Sequence, residues 1–202
     1  MELGNVTFRG PEFEANSPVI DVLPENLVAL FKQINGFVQF AGGLHVRGVC
    51  EKPTWHSIGE VMVGPLALHH LYKAILPTDA PFAQDCVADQ FLLRDGIVYK
   101  LQSETGELES LGFSLSQFFL AIEADPIEFL AMQPLLRFQR NGSMLEPGQV
   151  LHVYPPFCTK EAANGVSLRA VSATEALAFL AHFSRQLSGV PNGEQFQVRV
   201  VP

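Results

Sequence analysis

The clearest alternation of apolar and polar positions surrounds the dipeptide Asp95-Gly96. Two segments rich in branched and aromatic side chains, residues 91–94 and 97–101, flank this dipeptide. Asp-Gly tolerates the positive φ angles of a type I′ turn, so the pattern predicts a β-hairpin. A turn at Thr105-Gly106 and an alternating segment around Leu108 add a third strand, which predicts an antiparallel meander.

Three segments carry apolar residues at the i, i+3, i+4, i+7 spacing of an amphipathic helix. The first lies in residues 24–35 and is predicted to end with Gly36 as a left-handed C-cap. Residues 66–75 predict the second. Ser114 opens a capping box at the start of the third, and Asp125 caps a short helix behind it.

Residues 37–40 and 44–49 predict two short strands, and His45 and Arg47 share one face of the second. Beyond residue 143 the pattern predicts a β-β-α-β appendage. Its strands are residues 149–154, 166–171 and 196–200, and its helix opens with a capping box at residues 172–175. We therefore divide the chain into a domain of residues 1–142 and an appendage of residues 143–202 packed on it.

Composition narrows the functional classes. Hydrophobic residues make up 48% of the chain. No apolar run reaches the roughly 20 residues of a membrane helix, so we expect a soluble protein. The first residues lack the pattern of a secretory signal, and three widely spaced cysteines suit a reducing cytoplasm. The net charge of −8, without a lysine or arginine stripe, disfavours nucleic acid and favours a basic protein partner.

Three stretches, in order along the chain, resemble SMI1/KNR4-like (SUKH superfamily) domains. Residues 23–37, LPENLVALFKQINGF, resemble the opening helix of that family. Residues 81–101, PFAQDCVADQFLLRDGIVYKL, resemble its middle signature, and residues 110–130 resemble its closing helix with an Asp-Pro junction. The chain departs from the pattern at Ala88, where the family often has glycine. Residues 143–202 lie outside the resemblance.

The resemblance implies an α+β domain in which helices pack around a bent antiparallel β-sheet. Many bacterial members of the family are immunity proteins that bind and neutralise a toxin, and fungal relatives are interaction hubs. The shared property is protein binding, so the resemblance implies a protein without catalytic activity. We therefore expect no cofactor. The expected partner is a basic toxin domain, and the oligomeric state stays open.

Candidate chemical groups give weaker signals. The adjacent His69 and His70 do not have the i, i+4 spacing of a helical zinc site, so we expect no metal. Cys50 with His56, or Cys158 with His152, could form a nucleophile and base. The flanking residues match no known thiol enzyme, and buried structural cysteines are the favoured interpretation.

An acidic and aromatic surface is the sharper hypothesis for the binding site. It consists of Asp79, Asp85 and Asp89 together with Trp55 and Tyr99, and it would attract a basic partner. The alternative is that the aspartates are turn and cap residues and that Trp55 packs in the core. An adaptor that uses residues 143–202, or an enzyme with a Cys/His centre, are the competing functions.

Overall fold

The computed structural model describes residues 4–190, which form an α+β fold built on a seven-stranded antiparallel sheet. The strands lie in the sheet in chain order, so each pairs with the strand before it and the strand after it. They are β1 (Val6–Arg9), β2 (Phe37–Gln39), β3 (Leu44–Val46), β4 (Ala80–Asp85), β5 (Gln90–Arg94), β6 (Ile97–Leu101) and β7 (Leu108–Phe113).

Helices pack against this sheet, and a second sheet of two strands follows it in the chain. The helices are α1 (Glu25–Gln33), α2 (Ile58–Met62), α3 (Leu68–Leu71), α4 (Leu115–Ala124), α5 (Pro126–Phe129), α6 (Gln133–Arg140) and α7 (Ala173–Leu187). The second sheet pairs β8 (Gln149–Tyr154) with β9 (Ser167–Ser172). Within residues 4–190 no helix combines the length and the apolar character needed to cross a membrane.

The predicted hairpin is confirmed. Asp95 and Gly96 both have positive φ angles, 50° and 80°, as a type I′ turn requires. This turn sets the register in which Leu92 lies opposite Tyr99. The predicted meander forms the β5–β7 half of the sheet, and β1–β4 extend it on the other side.

The hydrophobic core lies between the sheet and its helices, with Phe118 of α4 at its centre. Phe118 is fully buried, and its ring centroid is 4.9 Å from that of Phe91 and 5.4 Å from that of Phe82. Leu27 and Phe31 of α1 belong to the same core. The apolar stripes of the two predicted aromatic helices therefore face one common sheet.

Both caps predicted around α4 are present. The Ser114 hydroxyl accepts from Gln117 N, and the Gln117 side chain accepts from Ser114 N at 2.9 Å. Asp125 caps α5 by accepting from Glu128 N at 3.1 Å. These local hydrogen bonds fix where both helices begin.

We expect Ser114→Ala to lower the free energy of unfolding by about 1 kcal/mol, because the Gln117 amide loses its cap. Ser116→Ala, at an exposed position inside the same helix, is the matched control. The measurement is urea unfolding of both variants. Equal midpoints for Ser114→Ala and the wild type would contradict the capping role.

Three details predicted for the helices are wrong. Helix α1 ends at Gln33 because Ile34 is already extended, so Gly36 lies beyond the cap. Residues 66–75 form only the four-residue α3, since Tyr72 turns away and donates its hydroxyl to Ser103 O at 3.1 Å. Ser172 precedes α7 without capping it, and its hydroxyl lies 2.8 Å from that of Thr174.

The C-terminal unit is an integral part of the fold. Leu151 of β8 donates its N–H to Cys86 O at 2.7 Å, and Leu151 and Leu177 belong to the main core. A second apolar cluster joins Ala88 of the β4–β5 turn to four residues of the unit, Val150, Ala173, Ala176 and Leu180. The predicted β-β-α order is present, and the predicted strand at residues 196–200 lies outside the described residues.

Candidate functional site

Asp79 is buried and neutralised within the chain. Its two carboxylate oxygens accept from Arg94 Nε at 2.7 Å and from Arg94 Nη2 at 2.6 Å, and one of them also accepts from Leu76 N. The side chain of Asp79 has no exposed surface. The hydrogen bonds that Arg94 donates to this carboxylate raise the pKa of Arg94. Asp79 therefore fixes the approach to β4 and offers no free charge to a partner.

Asp85 organises the turn between β4 and β5. Its Oδ1 accepts from Val87 N and Asp89 N, both at 3.0 Å, and its Oδ2 accepts from Lys100 Nζ at 3.1 Å. Ala88, in the turn, has a φ of 69°, which explains why glycine would suit this position. Burial, and then the nearby Asp89, raise the pKa of Asp85.

Lys100 is shared between two carboxylates. Its Nζ lies 3.1 Å from Asp85 Oδ2 and 3.1 Å from Asp89 Oδ2. Burial works to lower the pKa of Lys100, but the two aspartates outweigh it and the pKa is raised. Asp89 also accepts from Ser103 N at 2.9 Å, so the cluster joins the β4–β5 turn to the loop between β6 and β7.

The two aromatic residues of the predicted patch lie half-buried in different surroundings. Trp55 packs beside His45, with ring centroids 5.1 Å apart, and a Cβ on Gly148 would lie 2.9 Å from the indole. Trp55 thus fills the space between the main sheet and the C-terminal unit. The guanidinium of Arg94 lies over the Tyr99 ring, 5.1 Å from its centroid.

The structure therefore corrects the predicted acidic patch. Asp79 and Asp85 are only 3% and 1% exposed. Each carboxylate accepts hydrogen bonds from a cationic side chain and from the backbone. They are turn residues, which was the alternative interpretation. A partner-binding role for Asp89, Trp55 and Tyr99 stays a prediction.

A buried polar layer around Arg47 was not predicted as a unit. Arg47 is only 2% exposed, and its guanidinium donates to Pro81 O, Ala83 O, Gln84 Oε1 and Gln90 Oε1 at 2.6–3.3 Å. All four acceptors are neutral, and no carboxylate within residues 4–190 forms an ion pair with Arg47. Burial lowers the pKa of Arg47 to about 9.

A chain of hydrogen bonds runs beside this layer from His45 to Asn35. Asn35 O can only accept, so His56 Nε2, 3.0 Å away, carries a proton. When the His56 ring is neutral, its Nδ1 is an acceptor and receives a hydrogen bond of 2.9 Å from His45 Nε2. Both rings are neutral in this arrangement.

Burial opposes protonation of both histidines. It lowers the pKa of His56 to about 4, with Arg47 adding to the effect and the hydrogen bond to Asn35 opposing it. Burial, followed by the charges of Arg47 and His56, also lowers the pKa of His45 well below its usual value. The pair therefore prefers to stay uncharged at neutral pH.

The cysteines have environments that disfavour thiolate chemistry. Burial, then Glu14, raises the pKa of Cys50 to about 11, and burial, then Glu104, raises that of Cys158 to about 12. Burial raises the pKa of Cys86 further. A nucleophilic cysteine needs a lowered pKa.

Among the described residues, Cys50 forms no hydrogen bond with His56, and Cys158 forms none with His152. In the same part, no three His, Cys, Asp or Glu side chains converge closely enough to hold a metal ion.

An acidic segment covers β7, α4 and α5. Residues 101–136 contain six acidic residues and no lysine, arginine or histidine. Five of the six are exposed: Glu107, Glu109, Glu123, Asp125 and Glu128. Two large apolar side chains in this segment are also exposed, Leu120 at 63% and Ile127 at 40%. We call residues 101–136 the acidic segment.

Comparison with known proteins gives one informative likeness. No family model and no curated protein matches the chain. The fold is similar to the crystal structure of Atu4351 from Agrobacterium tumefaciens, with a TM-score of 0.55 over 87% of this chain and 85% of that one. The two sequences are 14% identical, so the likeness extends to the α+β architecture and no further.

Proposed function

We propose that this chain acts by binding another protein, and that it is a bacterial immunity protein that neutralises a toxin by covering it. The observation that carries this proposal is the acidic segment, which combines exposed carboxylates with the exposed apolar side chains of Leu120 and Ile127. Apolar side chains with charged neighbours are typical of protein interfaces, in which the charges speed association. Such a protein would act in the cytoplasm.

The arrangement of the family-like stretches supports the proposal. Residues 23–37 supply α1 and the first residue of β2, residues 81–101 supply β4–β6, and residues 110–130 supply the end of β7 with α4 and α5. All three contribute to one sheet and one core. The resemblance to SMI1/KNR4-like proteins, many of which bind toxins, is therefore compatible with a single folded domain.

Charge favours a basic partner. The chain has a net charge of −8, and the acidic segment accounts for −6 of it. Many toxins that are neutralised by proteins of the resembling family are basic nucleases. A basic toxin domain would be attracted to this segment at long range, and the attraction would weaken as salt is added.

A different surface favours the adaptor function. Tyr154, the last residue of β8, and Phe157, in the loop that follows, are 66% and 46% exposed. Glu104 fixes this loop by accepting from Phe157 N at 3.1 Å and from Cys158 N at 3.0 Å. One exposed aromatic ring at the end of β8 and a second on the anchored loop could dock a regulatory partner.

The experiment is affinity capture of the tagged full-length chain from its own cells, with mass spectrometry of proteins retained in moderate salt. We expect one stoichiometric partner that is toxic when expressed alone. Truncation at residue 142 would not separate the two functions, because Leu151 and Leu177 belong to the main core. The variant Tyr154→Ser/Phe157→Ser separates them without removing buried side chains.

Under the immunity proposal, this double variant retains the partner as the wild type does. Glu107→Lys/Glu109→Lys should retain much less, because it reverses two exposed charges of the acidic segment. Capture of several housekeeping proteins that is lost in Tyr154→Ser/Phe157→Ser would contradict the immunity proposal and favour the adaptor.

A further inference from the structure

Strand β7 ends the seven-stranded sheet, and no strand within residues 4–190 pairs with its outer side. The outer side of an edge strand presents N–H and C=O groups to which an extended segment of another chain can bind. A bulge at residues 111–112 interrupts the pairing with β6, so the regular part of this edge is Leu108–Ser110. The edge is therefore short and defined.

The pairing with β6 shows which backbone groups of β7 face outward. Gln102 N donates to Glu107 O at 2.9 Å, and hydrogen-bonded and non-bonded pairs alternate along an antiparallel ladder. Glu109, two residues further on, therefore directs its backbone groups toward β6. Leu108 and Ser110 direct their N–H and C=O groups toward the open side.

The side chains that flank this edge match a basic segment. Glu107 and Glu109 are exposed there. Lys100 lies opposite both Phe91 and Glu109, so Glu109 projects from the face that α4 covers with Phe118.

Charge decides between the possible occupants. A second copy of this chain, paired edge to edge, would place its own acidic segment against this one, and like charges would repel. A segment rich in lysine or arginine would instead meet Glu107 and Glu109 with opposite charge.

We propose that an extended basic segment of the protein partner binds along Leu108–Ser110 of β7 and adds a strand to the sheet. The proposal rests on the proposed function, because it names the surface by which that partner is held. Backbone hydrogen bonds from Leu108 and Ser110 give the affinity, and the acidic residues select a basic strand.

The test is amide hydrogen exchange in the full-length chain, measured by NMR. In the free chain, we expect the Leu108 and Ser110 amides to exchange much faster than that of Glu109, which is bonded to β6. A synthetic peptide of alternating lysine and valine should slow exchange at Leu108 and Ser110 about tenfold or more. A peptide of alternating glutamate and valine is the matched control and should leave both amides unchanged.

Ser110→Pro removes an outward N–H group without removing a bond to β6, a change that edge strands tolerate. We expect this substitution to weaken binding of the captured partner about tenfold, because one hydrogen bond is lost and the hydrogen bonds next to it are weakened. Ser110→Ala, which keeps the N–H, should bind as the wild type does.

Two results would overturn the edge proposal. The first is slow exchange at Leu108 and Ser110 in the free chain, since the chain itself would then cover the edge. The second is a Ser110→Pro variant that folds and binds the captured partner with wild-type affinity. That second result would contradict the edge site but not the proposed function. If the peptide protects the two amides but no toxin is captured, the proposed function is contradicted and the edge site is not.

Discussion

Replacing Arg47 by methionine is expected to lower the free energy of unfolding by about 2–6 kcal/mol, because two buried carbonyl groups lose their donor. The methionine side chain keeps much of the buried volume but carries no N–H group. Four buried acceptors, from Pro81 O to Gln90 Oε1, then lose their donor. The two glutamines can rearrange, but the two backbone carbonyls cannot, and each unsatisfied buried group costs about 1–3 kcal/mol.

Urea unfolding measures this loss, and Arg9→Met is the matched control. Arg9 is exposed on β1, so its substitution should change stability by less than about 0.5 kcal/mol. Arg47→Lys should fall between the two, since one ammonium cannot reach all the acceptors of a planar guanidinium. A wild-type midpoint for Arg47→Met would show that the polar layer does not hold β3, β4 and β5 together.

Acid is expected to destabilise the chain through His56. The pKa of this residue is lowered from an ordinary 6.5 to about 4, so the unfolded chain binds the proton more tightly than the folded chain does. The resulting stabilisation is complete above pH 6.5 and is lost as the pH falls toward 4. It amounts to about 3 kcal/mol. His45, whose pKa is also lowered, adds to the loss.

Asp85 acts in the opposite direction, because its raised pKa makes protonation in acid favourable to the folded state. The comparison of wild type with His56→Gln removes this contribution, since both proteins contain Asp85. Glutamine can still donate and accept but does not titrate in this range. Between pH 7 and pH 4 the wild type should lose about 3 kcal/mol more than His56→Gln. Equal losses would mean that His56 is protonated as easily in the folded chain as in the unfolded one.

Local signals in the sequence predicted local structure well. Asp95-Gly96 forms the turn that its φ preferences require, and Ser114 and Asp125 cap the helices that follow them. Each of these features depends on residues within three or four positions, so the neighbouring sequence contains the information. Tyr72 shows the limit: it fits a helical spacing but leaves α3 for a bond to Ser103, 31 residues away.

The same dependence on residues distant in sequence explains why the surroundings of the candidate site residues could not be predicted. Asp79 and Asp85 look like exposed turn residues in sequence, yet each is paired with a cation 15 residues further on. The acceptors of Arg47 are 34–43 residues away from it. The sequence contains one signal: His45 and Arg47 share one face of a predicted strand whose other face is apolar. Only the pairing of β3 with β4 shows that this face is buried.

We propose that the chain neutralises a toxic protein by binding it. The most direct measurement is the growth of cells that express the captured partner, with and without this chain. We predict that growth stops with the partner alone, resumes with the wild-type chain, and resumes only weakly with Glu107→Lys/Glu109→Lys. If the partner does not affect growth, or if growth stops equally in the presence of the wild-type chain, the immunity function is contradicted.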